Sequence, residues 1–293
     1  MTQPGHDICT LTEPPAWSRL AKSPEAHKYA HGHALILSGG AGHTGAARLA
    51  ARAATRIGAG LVTLGTPGSA QLEVAAQVTE VMLKQVEDGP ALGRVLEDAR
   101  FNALCLGPGL GIARARDLVP AALEAKRATV LDADALTAFA DSPDALFAML
   151  HENCVLTPHG GEFARLFPDI AAKLAAPATT GPACSKIDAT REAAARAGCT
   201  VLFKGPDTVV ADGSGRASIT AAVYDRAAPW LATAGAGDVL AGLIAGLLAR
   251  GFKAPDAADT AAWLHVEAAR RFGPGLVATD LPETLPAVLA ALA

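Results

Sequence analysis

The 293-residue sequence has few aromatic residues, 4%, and few charged ones, 18%. A core short of rings must be filled by aliphatic side chains, with helices packed closely on alanine and glycine. The net charge is −4 and no basic run occurs, which argues against a nucleic-acid surface built on phosphate neutralisation. The apolar run Val239–Leu248 is far shorter than the roughly 20 residues needed to cross a bilayer, so no membrane role is expected. The N-terminus lacks the basic-then-apolar order of a signal peptide. Five cysteines, Cys9, Cys105, Cys154, Cys184 and Cys199, are odd in number and show no C-x-x-C spacing. They read as free, mostly buried thiols in a reducing compartment, and a cytoplasmic location is expected.

What the sequence does have is apolar residues, 51% of the chain, enough to fill a large core. The length suits one large α/β domain or two small ones. Residues 1–25, with Pro4, Pro14, Pro15 and Pro24 and no periodicity, read as an arm or linker, and 26–293 as the folded domain. Ala34–Leu37 is a short strand ending in Gly39-Gly40-Ala-Gly42. A helix then opens at Thr44-Gly45, with Ala46, Ala47, Leu49, Ala50, Ala53, Ala54 and Ile57 at helical spacing. Gly58 and Gly60 end it before the strand Leu61–Leu64. This strand–loop–helix–strand unit matches neither G-x-G-x-x-G nor G-x-x-x-x-G-K-[ST], so the usual dinucleotide and P-loop assignments fail.

The same grammar repeats. Strands at 102–106, 129–131, 154–156 and 200–203 end in Gly107-Pro-Gly-Leu-Gly111, Asp132-Ala-Asp134, Thr157-Pro-His-Gly-Gly-Glu162 and Lys204-Gly-Pro-Asp-Thr208. That places four chemically loaded loops along one rim of a mainly parallel sheet with helices on both faces. Residues 209–213 and 217–220 read as a hairpin in a smaller antiparallel portion. Asp132 and Asp134 suit helix caps and ligand contacts equally. His159 is either a satisfied loop histidine or a substrate contact. Lys204, at the end of an apolar strand, needs an anion, because a buried lysine otherwise costs several kcal/mol. Glu162 reads as a first-turn acid, with metal or water positioning as the alternative.

The stretch Trp230–Gly246 is the centre of the chain. Gly235 and Gly237 bracket Ala236 and lead into Asp238 and a helix apolar on every side, which must be buried. Glycines at such a junction let successive N–H groups converge, and the helix dipole adds to them, making an anion site. Asp238 beside that site suits a base that takes a proton from a hydroxyl attacking a phosphoryl group. A simple glycine turn with Asp238 as an N-cap is the alternative. The small residues Ala241, Gly242, Ala245 and Gly246 permit a close helix approach, and Arg250-Gly251 form the C-terminal stop.

Taken in this order, these motifs resemble the ADP- or ATP-dependent NAD(P)H-hydrate dehydratases of the ribokinase-like superfamily. The likeness runs from His27-Lys28-x-x-x-Gly32 through Thr44-Gly-Ala-Ala47, Gly58-Ala-Gly-Leu-Val62 and Leu131-Asp-Ala-Asp-Ala-Leu136 to Gly235-x-Gly-Asp238. The resemblance implies a ribokinase-like α/β fold and dehydration of the S-form of hydrated NADH or NADPH. ADP or ATP would phosphorylate the C6 hydroxyl and free phosphate would leave. It implies Asp238 as base, with the backbone of Gly235, Ala236 and Gly237 stabilising the transferring phosphoryl group. Lys204, Gly205, Pro206, Asp207, Thr208 and Gly237 would line the nucleotide. Ala46, Gly109, Gly111, His159 and Asp238 would contact the hydrated dinucleotide. Mg²⁺ would accompany the donor phosphates without a protein metal cage, and the assembly would be a homo-oligomer, a tetramer in the family. Alanine stands at position 236 where the family commonly has Thr or Ser. Two alternatives stay open: a small-molecule hydroxyl kinase of the same superfamily, and a nucleotide-binding protein without catalysis.

Overall fold

The computed structural model describes residues 8–11, 17–179 and 182–292. Its strands are β1 (Ile8–Thr10), β2 (His33–Leu37), β3 (Leu61–Thr66), β4 (Met82–Gln85), β5 (Ala103–Leu106), β6 (Ala128–Leu131), β7 (Cys154–Leu156), β8 (Thr200–Phe203), β9 (Asp207–Ala211) and β10 (Ala217–Ala221). The first helices are α1 (Gly45–Arg56), α2 (Gln71–Ala75), α3 (Gly89–Leu96), α4 (Ile112–Glu124), α5 (Asp134–Thr137) and α6 (Pro143–Phe147). They are followed by α7 (Gly160–Leu166), α8 (Pro168–Ala175), α9 (Lys186–Ala197), α10 (Ala236–Ala249), α11 (Ala254–Phe272) and α12 (Asp280–Leu292).

All ten strands join one sheet in the order β1-β10-β9-β8-β7-β6-β5-β2-β3-β4. From β8 to β4 every pairing is parallel, while β9 runs antiparallel to both β8 and β10. The strands alternate strictly between two cores. Ala34, Ile36, Ala103, Cys105, Val130, Val155 and Leu202 face the side covered by α1, α10, α11 and α12. Leu35, Leu37, Leu104, Leu106, Leu131, Leu156 and Val201 face the side covered by α3, α4, α7, α8 and α9. A strand buried on both faces reads as an unbroken apolar run, as these do. The hairpin at 209–220 is the β9–β10 pair.

Ile8–Thr10, inside the stretch read as an arm, is an edge strand parallel to β10, and Leu11 donates to the Ile219 carbonyl at 2.9 Å. Pro4, Pro14 and Pro15 lie outside the described residues. Cys105, Cys154 and Cys199 are buried and all five thiols are free. Among the described residues, no helix is long and apolar enough to cross a membrane.

The α1–α10 contact sets the site's position. A Cβ on Gly242 would lie 2.2 Å from the Ala50 carbonyl oxygen, and one on Gly246 2.4 Å from Ile57 Cγ2. Only glycine allows this approach. Both helices follow the same rim, so their N-termini lie at the site's end of the sheet.

Candidate active site

Helix α10 buries every residue except Gly237 and Asp238. Its N-cap, Gly235, has φ +89°, and a Cβ there would lie 2.7 Å from Leu49 Cδ1 and 2.8 Å from Ala278 Cβ. Conformation and space both demand glycine. The Val239 N–H donates to the Gly235 carbonyl at 3.1 Å, and the Ala236 N–H reaches the Thr233 carbonyl only at 3.4 Å. The N–H groups of Gly237 and Asp238 have no carbonyl four residues back within the helix. The two unburied residues of α10 are therefore also its free donors, at the positive end of its dipole.

Asp238 has a proton affinity raised to about 6, first by burial and then by the Asp132 charge, with Lys204 opposing. At neutral pH it is mostly ionised yet close to the pH at which a base works best. Asp132 itself is 1% exposed and is held by Lys204, whose Nζ donates to Asp132 Oδ1 at 2.6 Å. Glu162 Oε2 lies 3.9 Å from the same ammonium. These carboxylates hold Lys204 firmly protonated despite the opposing cost of burying it. The anion that the strand-end lysine requires is thus in the protein itself. A Cβ on Gly237 would stand 3.5 Å from Lys204 Nζ and 4.0 Å from Asp132 Oδ2, so the glycine loop and the ion pair adjoin.

A pocket of about 340 Å³ opens beside this cluster, with Lys204, Gly205, Pro206, Thr208, Gly237 and His265 in its wall. Asp207 is turned elsewhere. Lys186 Nζ donates to its Oδ1 at 3.0 Å and to its carbonyl at 2.6 Å. Thr208 Oγ1 closes the turn by donating to the Gly205 carbonyl at 3.0 Å.

On the other side, Ala46 stands in the first turn of α1, and a Cβ on Gly109 would lie 3.2 Å from its Cβ. The glycine loop after β5 and the start of α1 therefore meet. The Gly111 N–H donates to Asp134 Oδ2 at 2.8 Å, which gives that aspartate a structural task. His159 caps α7. Its Nδ1 accepts from the Gly161 N–H at 3.0 Å and the Glu162 N–H at 3.4 Å, while Glu162 Oε2 accepts the His159 N–H at 2.8 Å. An accepting Nδ1 leaves the hydrogen on Nε2, 3.4 Å from Glu162 Oε1. The imidazole remains more than half exposed, at the same rim. His27 and Lys28 are exposed.

Two side chains beside this cluster escaped the sequence reading. Lys186 follows the Ser185 cap of α9 and stacks 4.6 Å over Phe203 beside the loop at 204–208. His265 sits deep in α11 and reaches the Ala236 carbonyl at 2.9 Å.

A family model described as NAD(P)H-hydrate dehydratase matches residues 34–287. This chain belongs to that family. It is 38% identical over 292 residues to the bifunctional NAD(P)H-hydrate repair enzyme of Moorella thermoacetica, covering 94% of this chain and 53% of that protein. The namesake from Synechocystis is 37% identical over 257 residues, covering 85% of this chain and 46% of that protein. The chain thus spans about half the length of these curated relatives. Among solved structures, an ADP/ATP-dependent NAD(P)H-hydrate dehydratase from Bacillus subtilis, co-crystallised with ATP and Mg²⁺, superposes with a TM-score of 0.74 at 24% identity. That match covers 97% of this chain and 100% of the other. A ribokinase-like superfamily protein from Enterococcus faecalis superposes with a TM-score of 0.76 at 22% identity, covering 100% of this chain and 99% of that one. The fold is therefore the ribokinase-like α/β fold.

Proposed function

We propose that this chain dehydrates the S-form of hydrated NADH or NADPH at the expense of ADP or ATP. The observation that carries the reading is a half-buried carboxylate of raised proton affinity, Asp238, beside the two free N–H groups of a buried helix. Asp238 takes the proton of the C6 hydroxyl, and that oxygen forms a bond to the donor's terminal phosphorus as the bridging P–O bond breaks. The N–H groups of Gly237 and Asp238 meet the charge on the transferring group. The C6–O bond then breaks, phosphate departs with the electron pair, and C5 loses a proton to restore the ring double bond. Phosphate is a far better leaving group than hydroxide, which is why a donor is needed at all.

The nucleotide is assigned to the pocket walled by Lys204, Gly205, Pro206, Thr208 and Gly237, and the dinucleotide to Ala46, Gly109, Gly111 and His159. Asp207, committed to Lys186, is assigned to shaping the turn. Mg²⁺ is proposed to arrive on the donor phosphates. Among the described residues no three His, Cys, Asp or Glu side chains gather as a cage, and this ion prefers phosphate oxygens and water. Asp132 and Glu162 are the carboxylates that would meet its waters, and when bound it neutralises donor charge. A cytoplasmic location is supported by the five free thiols. A homo-oligomer, with the tetramer that the resemblance implies, is testable by light scattering on a sizing column.

The deciding experiment mixes the protein with hydrated NADH or NADPH, Mg²⁺ and ADP or ATP. Dihydronicotinamide absorbance should return with one phosphate per turnover, and only when a nucleotide is present. A phosphorylated product without NADH would identify a kinase, and binding without turnover a nucleotide-binding protein. Recovery without nucleotide would overturn phosphoryl transfer.

A further inference from the structure

We propose that His265 is a positioning residue for the nucleotide phosphates, acting through the backbone of the Gly235–Asp238 turn; the proposal rests on the phosphoryl-transfer reading above. His265 is carried by α11 and is 8% exposed. Its Nε2 lies 2.9 Å from the carbonyl oxygen of Ala236, the first residue of α10. A carbonyl only accepts, so Nε2 carries the hydrogen. Burial pushes the ring's proton affinity down to about 4, with Lys204 adding in the same direction, and the Ala236 bond opposes this only in part. The imidazole is therefore neutral throughout the working pH range, and its hydrogen bond does not switch.

The turn it holds has little else to fix it. Gly235 is left-handed, α10 has no side-chain cap, and Gly237 brings the conformational freedom of a second glycine. Among the described residues, the His265 bond is the only hydrogen bond tying Gly235–Asp238 to another helix or strand. The same imidazole forms part of the nucleotide pocket wall with Lys204 and Gly237. It thus joins the pocket to the backbone whose N–H groups meet the phosphates. Donors help a transition state only if they are already in place when charge develops. His265 supplies that order from 29 residues away along the chain.

The test compares His265→Leu, which fills similar space without a donor, with His265→Gln, whose amide nitrogen reaches where Nε2 stands. The Ala236 carbonyl keeps its ordinary helical acceptor role, so the Leu variant leaves no buried group without a partner. Calorimetry with adenosine, ADP and ATP should show His265→Leu weakening ADP and ATP by about tenfold, the scale of one hydrogen bond, with adenosine unchanged. Turnover should fall by about tenfold or more, the acid limb of its pH profile should stay in place, and His265→Gln should recover most of the loss. Wild-type ATP affinity and turnover in a folded Leu variant would make His265 a packing residue. Equal weakening of adenosine and ATP would assign it to the base instead of the phosphates. Should the Leu variant not fold, Gln against the shorter Asn decides, because only Gln spans to the carbonyl; equal behaviour of the two overturns the proposal. Wild-type protein that binds ATP without dehydrating hydrated NADH would sink the reaction, while the binding series would still judge His265.

Discussion

Asp238→Asn tests the chemistry of the site and its energetics in one protein. In the folded chain Asp238 holds its proton up to about pH 6, against an ordinary value of 3.8. At about 1.36 kcal/mol per unit, that gap costs up to about 3 kcal/mol of stability once the group is ionised. The carboxylate is partly open to solvent, which screens the cost to about 1–2 kcal/mol. The asparagine forgoes the attraction of a first-turn carboxylate to the helix dipole, about 0.3–1 kcal/mol. The variant should therefore be more stable than wild type by about 1 kcal/mol at pH 7–8, a rise of roughly 1–3 °C in Tm. The direction with pH follows from linkage. Below pH 3.8 both states of wild type are protonated and the two proteins should match. As pH climbs from 4 to 6 the unfolded chain releases a proton that the folded one keeps, so wild type loses ground; above pH 6 the difference is constant. At pH 7–8, where wild-type Asp238 is ionised, turnover of the variant should be lower by about 10²–10⁴-fold with nucleotide binding retained. Thermal unfolding from pH 4 to 8, paired with the absorbance assay, checks both. A variant that keeps most of its activity would refute the base assignment. A stability gain that does not grow between pH 4 and 6 would refute the account of the buried carboxylate.

Asp132→Asn removes the like charge facing Asp238 and frees Lys204 to act on it, so the acid limb of turnover should move to lower pH; a limb that stays or rises would count against the coupling. Ala236→Ser leaves every backbone donor in place and should change turnover only a few-fold, whereas losing a donor in such a site generally costs about 10²–10³-fold; a large gain in steady-state rate would show that a hydroxyl is needed there. Gly242→Ala drives a methyl group into the Ala50 backbone at 2.2 Å and should destabilise by about 2 kcal/mol or more. An unchanged melting temperature in that variant would mean the helices separate freely.

The rim was legible because parallel strands buried on both faces read as unbroken apolar runs, and the polar residues that end them mark the side where ligands gather. Asp238 and its glycines announced themselves by breaking an otherwise apolar helix. The partner of Lys204 did not, since Asp132 lies 72 residues earlier and meets it only because β6, β7 and β8 are neighbours. Strand order is a property of the folded sheet that no local pattern encodes. His265 was hidden for a different reason. It lies in the alanine-rich buried face of α11, and its partner is a carbonyl, which every residue possesses. Ile8–Thr10 is too short to show alternation, and β4 at the far edge is largely exposed and so lacks the apolar run that marked the others.

The glycine seam between α1 and α10 works as a caliper. The first turn of one helix carries Ala46, on the proposed dinucleotide side, and that of the other carries Gly237 and Asp238, on the proposed donor side. Their backbones touch, so the gap between the two proposed binding sides has no slack that side chains could take up. A substitution such as Gly246→Ala, pressing on Ile57 and Ala54 well behind the ligands, would move both jaws together. It would raise KM for both substrates at once, whereas changes in the loops after β5, β7 or β8 act on one alone. In the proposed reaction, adaptation to a different nucleotide or dinucleotide would thereby be confined to the rim, while the span between the two helix starts stays fixed.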